Sequence, residues 1–519
     1  MKQKIKLVNL IALVLCGLML IAAVVSVVVT LSGRETNESM TNEQFLEEYT
    51  YRNTKGAGGV TGIGDPQVFY DDVNGKWRMT CTYDGMSFKL FTSDDLTAWD
   101  SGKTIFTKDM VDWGVYDPSI GAYGLWGAEI HRRGDTYYLY YSIWAKDAEG
   151  NATSPRIGVA TSSTVDGMYT DKGSPLFDYG YSAIDNHLFT DDDGKNYFYY
   201  VRDAYDNVVD GVHESQIYVV PMNDDLMSVA DSSQAVCLLK PELGWERRSG
   251  GGTWAWVEGC WMQKMNGKYY LFYSANKYNT RDYAIGYAVS DSPTGPFVKN
   301  PEPLLDTCAD ELVSPGNNSF FSSKDGKELF TAYHMLTTPD TPSGNRYLNI
   351  DRIGLRSDGT VYINAPTITS QPLPSGEKEG HTLLSDEARV VAGGTADGYD
   401  VSAVNDGEVA VLVDHATREW VSSQAPDQAT LRLEWDGKVT INSVFLYNSI
   451  VRDHRSRKVT LRFSDGTTVE GVRLGEFGGE AGIVNLNGVR AEWMEIVVSE
   501  KGFGQTAFAL SEVMVFGSK

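Results

Sequence analysis

Apolar and polar residues alternate in short segments through most of the chain, and one such arrangement recurs five times. An acidic or small residue opens a short apolar segment, a glycine-containing turn follows, and an aromatic-rich segment usually ends in Ser, Thr or His. Alternation on both sides of an Asn-Gly or Asp-Gly turn predicts a β-hairpin. The five copies begin at Gly64, Trp126, Ile184, Val257 and Ser314.

Further alternating segments follow the hairpins, which gives about four strands per repeat. These segments begin at Phe88, Arg156, Ser215, Tyr283 and Tyr347. A hairpin alone cannot bury its apolar face, whereas radial repetition of four-stranded sheets can. We therefore predict an all-β chain with a five-bladed β-propeller over residues 53–367. We expect the segment Asn53–Ile63 to close the last blade.

The C-terminal part has a different pattern. Residues 365–379 are rich in Pro, Ser and Thr and lack apolar periodicity, which predicts a linker over residues 368–387. Alternating segments return over residues 388–519 and predict an eight-stranded β-sandwich of jelly-roll type. This second domain contains no cluster of carboxylates or histidines that resembles an active site.

The N-terminus begins with Lys2, Lys4 and Lys6, and an apolar run extends from Leu7 to Leu31. Such a run exceeds the apolar region of a signal peptide and is long enough to span a bilayer. We predict that residues 1–34 are a signal anchor or a cleaved signal peptide and that residues 35–52 are an exported linker. Lysines before the span place the N-terminus inside, so the domains lie outside a bacterial membrane, either anchored to the cell surface or secreted.

Charge excludes one class of partner. The chain of 519 residues has a formal net charge of -24, whereas a nucleic-acid-binding protein needs a basic surface. Neutral ligands fit better, and we expect a monomer with no nucleic-acid partner.

Three carboxylates occupy matching places in the repeat, namely Asp65, Asp185 and Glu258. The first strand of each propeller blade lines the central channel, so these residues should converge there. Crowded carboxylates raise at least one pKa, and a protonated acid beside an ionised one can cleave a glycosidic bond. The alternative is that these residues cap strands or bind an ion in the channel.

Several ordered motifs of the propeller resemble glycoside hydrolase family 43. They are the Asp-Pro before the first strand, IDNHLFTDDDGKNYFYY, VEGCWMQKMNGKYYLFYS followed by YAIGYAVSDSPTGPF, and SPGNNSFF leading to AYH. The resemblance implies that Asp65 is the general base, that Asp185 modulates the pKa of the acid, and that Glu258 is the general acid of an inverting mechanism. It implies no organic cofactor, and it implies that His334 organises a channel ion, often calcium.

Other positions leave alternatives. Asp117 rivals Asp65, because VYDPSI resembles the opening motif of endo-acting arabinanases, although a full hairpin follows only Asp65. Gly127 and Ala128 replace a frequent Ala-Pro of the family. Candidate walls of the sugar subsite, any of whose aromatic members could equally be core residues, are Phe88, Trp126, Trp144 and Asn317.

The resemblance implies a polysaccharide-degrading hydrolase, and we predict an exo-acting α-L-arabinofuranosidase that acts on oligosaccharides or polysaccharides. β-Xylosidase, galactofuranosidase and endo-arabinanase activities are the alternatives within the family. A non-catalytic carbohydrate-binding surface protein is the alternative outside it. Residues 388–519 resemble the discoidin or coagulation-factor type C domains, through the DGEVAVLVDHATREW and FALSEVMVFG segments. That resemblance implies a carbohydrate-binding domain or a spacer.

Overall fold

The computed structural model describes residues 40–53, 60–117, 124–308, 312–337, 345–412 and 417–519. The chain divides into two compact units, residues 1–45 and 46–519, and only residues 40–45 of the first are described. The predicted signal segment, residues 1–34, lies outside the described residues. Among the helices that the structure describes, none combines the length and the apolar character needed to cross a membrane.

The repeats fold as five antiparallel blades, preceded by α1 (Asn42–Tyr49) and β1 (Thr50–Tyr51). Blade 1 contains β2 (Gly64–Asp71), β3 (Lys76–Thr82), β4 (Ser87–Ser93) and β5 (Lys103–Thr107). Blade 2 contains β6 (Gly114–Val115), β7 (Trp126–Arg133), β8 (Thr136–Lys146), β9 (Ala152–Ser162) and β10 (Thr170–Asp171). Blade 3 contains β11 (Ala183–Thr190), β12 (Asn196–Arg202), β15 (Gln216–Met222) and β16 (Val236–Leu239). Its insertion β13 (Val208–Val209) pairs with β14 (Val212–Glu214), which pairs in turn with β17 (Trp254–Ala255).

The remaining blades have four strands each. Blade 4 contains β18 (Val257–Met265), β19 (Lys268–Ala275), β20 (Ala284–Ser290) and β21 (Val298–Lys299). Blade 5 contains β22 (Gly316–Ser322), β23 (Leu329–Leu336), β24 (Arg346–Leu355) and β25 (Val361–Ile363). Short 3-10 helices occur at Lys108–Met110, Ser232–Gln234, Gly244–Arg247, Ser385–Glu387, Val401–Val404 and Arg452–His454. The predicted five-bladed propeller is therefore confirmed.

Aromatic residues of the second strand of each blade hold the ring together. Successive side chains of a strand point to opposite faces. Phe272 therefore packs in the core between blades 4 and 5, and Tyr273 packs in the core between blades 3 and 4. Five apolar cores lie between neighbouring blades in this way, and the innermost strands β2, β7, β11, β18 and β22 pack side by side around the channel.

The closure of the ring differs from the expectation. Blade 5 has four strands of its own, and the described part of the segment, Asn53 and residues 60–63, adds no named strand to it. Within the described residues, this segment contributes an isolated bridge between Thr61 and Tyr347. It also contributes two hydrogen bonds between the Asn53 side chain and the backbone of Ile350, at 2.7 and 2.9 Å. The segment braces a blade that is already complete.

The segment predicted as a linker, residues 368–387, is built into the fold. It forms β26 (Gln371–Pro372), which pairs with β1, and β27 (Thr382–Leu383), which pairs with β34 (Ala509–Ser518). Leu373 and Ser375 between them are fully buried. Backbone pairing and burial on both sides explain why the Pro- and Ser-rich composition does not produce a free linker.

The C-terminal domain is a β-sandwich around one core. Its other strands are β28 (Arg389–Ala392), β29 (Trp420–Val421), β30 (Thr430–Asn448), β31 (Ser456–Phe463), β32 (Thr468–Arg473) and β33 (Ala481–Lys501). Residues 431–434 of β30 pair with β28, whereas residues 440–448 pair with β34. The long strands thus belong to both layers, and the hydrogen bonds form one eight-stranded network.

Candidate active site

A β-bulge interrupts the innermost strand of every blade at the same place. The register shifts between Gly64 and Gln67 in blade 1, and at the corresponding points of the other four blades. The bulge residue has a positive φ in each blade: Asp65 (53°), Gly127 (64°), Asp185 (51°), Gly259 (58°) and Asn317 (50°). Asp and Asn tolerate this conformation better than other residues with a side chain. Bulges redirect side chains, and these five residues line one channel.

The bulge amides are held by the preceding blade. Thr82 accepts the N–H of Gly127 at 2.9 Å, Ser142 accepts that of Asp185 at 3.2 Å, and Ser274 accepts that of Asn317 at 2.7 Å. This explains why the second strand of the repeat ends in Ser, Thr or His: that side chain fixes the bulge of the next blade.

Glu258 is one residue out of register with the other two acids. It lies opposite Ser274, as Gly64 lies opposite Thr82, so the equivalent of Asp65 and Asp185 in blade 4 is Gly259. The expectation of three matching positions is therefore wrong for Glu258. The hairpins of blades 3 and 4 have turns of different length, so similar sequence positions do not correspond in register.

Asp65 is an oriented, ionised carboxylate. Its Oδ1 accepts hydrogen bonds from Asn317 at 2.8 Å and from Arg346 at 3.0 Å, and its Oδ2 accepts one from Thr82 at 2.5 Å. Burial raises the pKa of Asp65, but the Arg346 guanidinium and the Thr82 hydroxyl outweigh it and hold the pKa below the usual value. A Cβ atom at Gly64 would lie 1.9 Å from the Arg346 guanidinium, so only glycine allows this approach.

The pKa of Glu258 shifts in the direction opposite to that of Asp65. Burial raises its pKa well above the usual value, and the nearby Asp185 carboxyl raises it further. The Tyr283 hydroxyl donates a hydrogen bond to Glu258 Oε1 at 2.9 Å. The ring of Tyr283 packs on Gly316, where a Cβ atom would come within 1.9 Å of it. Glu258 is therefore held in place and kept protonated, so it can donate a proton.

The charge of Asp65 affects the pKa of Asp185, and Asp185 in turn affects the pKa of Glu258. Burial, and next the charge of Asp65, raise the pKa of Asp185 to about 7. Its Oδ2 accepts the backbone N–H of Gly259 at 3.0 Å, so the residue after Glu258 is tied to Asp185. A glycine at position 259 thus serves both the bulge and the contact between the two acids. The arrangement combines one ionised carboxylate with a pair that retains a proton.

The candidate subsite residues have different surroundings. Asn317 contacts Asp65, as described, and Trp126 is half-buried at the start of β7. Trp144 is 9% exposed, and the ring of Tyr205 packs on its edge with 4.8 Å between centroids. Phe88 is fully buried between Phe106 and Tyr141, so its assignment to the sugar subsite is corrected to a core position.

Asp117, the rival base, differs from Asp65 in its position. Asp117 is absent from the described residues that line the channel, whereas Asp65 and Asp185 are among them. The residues around Asp65 and Asp185 line a small space of about 40 Å³. These positions favour Asp65 as the carboxylate that can activate water.

His334 contacts Asp65 through one ring nitrogen and has its other ring nitrogen unpartnered among the described residues. Its Nδ1 accepts the backbone N–H of Asp65 at 3.2 Å, the same role that Ser and Thr have in other blades. Burial, and next the positive Arg346, lower the pKa of His334 to about 3. His334 Nε2 is buried and has no hydrogen-bond partner among the described residues, so this nitrogen is available to an ion in the channel, as the resemblance implies. His334 also supports Asp65 through Nδ1.

The sequence pattern missed several residues of the site. Arg346 and Tyr283 lie outside the repeated hairpins, and only the fold brings them to Asp65 and Glu258. Trp254 and Trp256 form another feature, with stacked rings 5.8 Å apart. Their alternation with Ala255 and Val257, which are buried, places both indoles on the same side of the strand as Glu258. The alternation of Trp254 and Trp256 just before Glu258 is the sequence signal that could have identified them as site residues.

Comparison with known proteins decides the family. The model of "Glycosyl hydrolases family 43" matches residues 61–361, which cover all five blades up to the start of β25. The chain belongs to glycosyl hydrolase family 43. It is a glycosidase that hydrolyses glycosidic bonds. Residues 384–516 match a domain of unknown function, DUF7402, so the resemblance to discoidin domains is not confirmed.

Individual relatives agree with this family 43 assignment. "Beta-D-galactofuranosidase xynD" of Aspergillus niger is 30% identical over 282 residues, which cover 53% of this chain and 73% of the relative. "Probable arabinan endo-1,5-alpha-L-arabinosidase A" of Aspergillus fumigatus is 30% identical over 262 residues, which cover 48% and 72%. The crystal structure of a thermostable family-43 glycoside hydrolase is 37% identical with a TM-score of 0.56, and the match covers 63% of this chain and all of that one.

Proposed function

We propose that this family 43 enzyme is an exo-acting, inverting glycosidase with Asp65 as general base, Glu258 as general acid and Asp185 as modulator of the Glu258 pKa. The proposal rests on two acids whose pKa values shift in opposite directions. The lowered pKa leaves Asp65 ionised, and the raised pKa leaves Glu258 protonated. Pairs of carboxyl groups whose pKa values are pushed apart divide the acid and base roles between them.

The proposed reaction is a single displacement. Asp65 removes a proton from a water molecule while the water oxygen forms a bond to the anomeric carbon. The glycosidic C–O bond breaks at the same time, and Glu258 donates its proton to the departing oxygen. Glu258 is then ionised and Asp65 protonated, and exchange with solvent restores both. The contacts of Asn317, Arg346 and Thr82 hold the base during this step.

The proposed substrate is a terminal α-L-arabinofuranosyl unit of an oligosaccharide or polysaccharide. β-D-Galactofuranose is the second candidate, because a relative named as a galactofuranosidase is among the most similar proteins. The two furanosides share their ring configuration and differ in the exocyclic chain, so one pocket could receive both. Trp256, which is half-buried and stacks on Trp254, is a candidate surface for the sugar on the leaving-group side.

The substrate proposal is tested with 4-nitrophenyl α-L-arabinofuranoside, β-D-galactofuranoside and β-D-xylopyranoside, and with debranched arabinan. We expect kcat/KM on one of the furanosides to exceed that on the xyloside by about tenfold or more, because the site discriminates by ring shape. An Asp65→Asn preparation serves as the control for contaminating enzymes. Preference for the xyloside, or internal cleavage of arabinan, would contradict the exo-furanosidase assignment.

The pH dependence of kcat/KM follows from the shifted pKa values of Asp65 and Glu258. We expect kcat/KM to fall on the alkaline side as Glu258 loses its proton, and on the acid side only below the usual carboxyl range, where Asp65, whose pKa is lowered, becomes protonated. Asp185→Asn removes a negative charge that raises the Glu258 pKa, so the alkaline limb should move to lower pH. Asp203→Asn is the matched control: its carboxyl raises the same pKa less, so the shift should be smaller. An alkaline limb that stays in place in Asp185→Asn would contradict the modulator role.

The proposed location is outside a bacterial cell. The lysines at the N-terminus and the apolar run of residues 7–31 support export, with the run retained as an anchor or removed as a signal peptide. Substrates too large to cross a membrane would be accessible to an enzyme held there.

The C-terminal domain is proposed to bind an acidic glycan. A pocket of about 740 Å³, here called the arginine pocket, supports this. Its cationic residues are Arg452, Arg455, Arg457, Lys458 and Arg473, and its edge carries Phe477 and Phe503. The two phenylalanines are 71% and 81% exposed, which is unusual for such large apolar side chains.

The cationic side chains of the arginine pocket differ in their bonding partners. Arg455 donates hydrogen bonds to three backbone carbonyls and is structural, while Arg457 and Lys458 contact Glu500. Within the described residues, Arg452 and Arg473 have no carboxylate partner. In a chain with a net charge of -24, two unpaired guanidinium groups beside exposed aromatic rings fit a sugar that carries a carboxylate.

Titration calorimetry with oligogalacturonates tests the arginine pocket. We expect binding that weakens with salt and that falls about tenfold or more in Arg473→Ala and Phe503→Ala, because each variant removes a direct contact. Arg389→Ala, on an exposed strand of the same domain, should bind as wild type does. Equal affinity for a neutral arabino-oligosaccharide, or binding to anionic lipid vesicles instead, would contradict the proposal.

A further inference from the structure

Glu129, His131 and His187, here called the channel triad, lie one layer below the bulges. Glu129 follows the bulge residue Gly127 by two positions and pairs with Tyr140, and His187 follows Asp185 by two and pairs with Tyr199. Glu129 and His187 are therefore equivalent residues of blades 2 and 3. His131 lies two residues beyond Glu129 on the same face of β7. The triad joins two neighbouring blades beneath the proposed reaction site.

The three side chains converge on one point. A ligand atom from each lies within 4.8 Å of the others. His187 Nδ1 is 2.9 Å from Glu129 Oε1, and His131 Nε2 contacts the same oxygen. Glu129 is 4% and His187 3% exposed.

Other polar side chains of this layer make hydrogen bonds to the backbone, whereas the described hydrogen bonds of the channel triad are between its own side chains. Gln67 makes two hydrogen bonds with the backbone of Ile130, and Ser319 donates one to the carbonyl of Pro66. His187 Nε2 is buried with no hydrogen-bond partner in the described part of the chain. The Trp261 ring covers the His187 imidazole at 4.3 Å between centroids. Among the described residues, the His187 imidazole is therefore held by Glu129 through Nδ1 and by ring contact with Trp261, while Nε2 adds no hydrogen bond.

We propose that Glu129, His131 and His187 bind a divalent transition-metal ion of the zinc type, which ties blade 2 to blade 3. Two imidazoles and one carboxylate are a donor set that zinc accepts, with water as a fourth ligand, and nitrogen donors disfavour calcium and magnesium. The metal takes the place of the protons that otherwise lie between the carboxylate oxygen and the two imidazole nitrogens. The ion has a structural role and does not contact Asp65, Asp185 or Glu258.

The test uses the purified full-length protein after removal of any histidine tag. The protein is stripped with a chelator, incubated with Zn²⁺ or Co²⁺ and desalted, and the retained metal is measured by inductively coupled plasma mass spectrometry. We expect about one equivalent in the wild type, the visible absorption of four-coordinate Co²⁺, and a higher thermal midpoint with Zn²⁺ than without it. His131→Gln and His187→Gln should retain about tenfold less metal or lower still.

His454→Gln is the matched control, because His454 also faces a carboxylate, Glu419 at 3.5 Å, without a second histidine among the described residues. This variant should retain metal as the wild type does. His131 is half-buried, so His131→Gln should fold even if His187→Gln does not. A wild type that retains less than about a tenth of an equivalent would overturn the proposal, as would wild-type retention in both triad variants.

Discussion

Glu258→Gln should lower kcat on an oligosaccharide by about a thousandfold, because the departing sugar oxygen then receives no proton. On a 2,4-dinitrophenyl glycoside the same variant should lose less than about tenfold, since that leaving group departs without protonation. Glutamine keeps the shape of the side chain, and its carbonyl can still accept the hydrogen bond from Tyr283. Steady-state kinetics on the two substrates measure the difference.

The dependence on the leaving group separates an acid from a residue that merely supports the fold. Tyr283→Phe is the control, because it removes a contact to Glu258 but leaves the proton on the acid, so the loss should be much smaller than in Glu258→Gln. Equal losses of Glu258→Gln on both substrates would show that Glu258 is not the proton donor.

Asp65→Asn should lower kcat by about a thousandfold on both substrates, because the attacking water needs a base whatever group departs. Asparagine tolerates the positive φ of 53° at this position, so the bulge should survive the change. The variant therefore removes the negative charge with little change of backbone. Circular dichroism and the thermal midpoint verify the fold beside the kinetic measurement.

Asp117→Asn is the matched control for the base. Asp117 lies outside the described lining of the channel, so this variant should keep kcat within about twofold of the wild type. Full activity of Asp65→Asn together with a large loss in Asp117→Asn would reverse the assignment and support the alternative that the VYDPSI motif suggests.

The repeat was sufficient to predict the architecture. Five hairpins with turn glycines gave five blades, and the segments after them form the third strands β4, β9, β15, β20 and β24. Alternation with a period of two is a local signal that the backbone obeys directly. The linker was mispredicted because composition reports local preference, whereas the pairing of β26 with β1 joins residues far apart in sequence.

The candidate site was predictable only in part. The sequence indicated Asp65, Asp185 and Glu258. It did not indicate that Glu258 lies one position before the bulge residue of its blade, because turn residues do not specify where a β-bulge occurs. Arg346 lies 281 positions after Asp65, and its approach requires a glycine at position 64. Phe88 was assigned to the sugar subsite because an aromatic side chain serves a core and a sugar pocket equally well. Burial in the folded protein is what distinguishes the two.

One ionised and one protonated carboxyl group are proposed to act together in a single displacement. Proton NMR of the first-formed sugar during hydrolysis of the preferred furanoside tests this mechanism most directly. We expect the product to have initially the anomeric configuration opposite to that of the substrate, because water attacks from the face opposite the leaving group. A product that first forms with the configuration of the substrate would require a covalent intermediate and would contradict the roles assigned to Asp65 and Glu258.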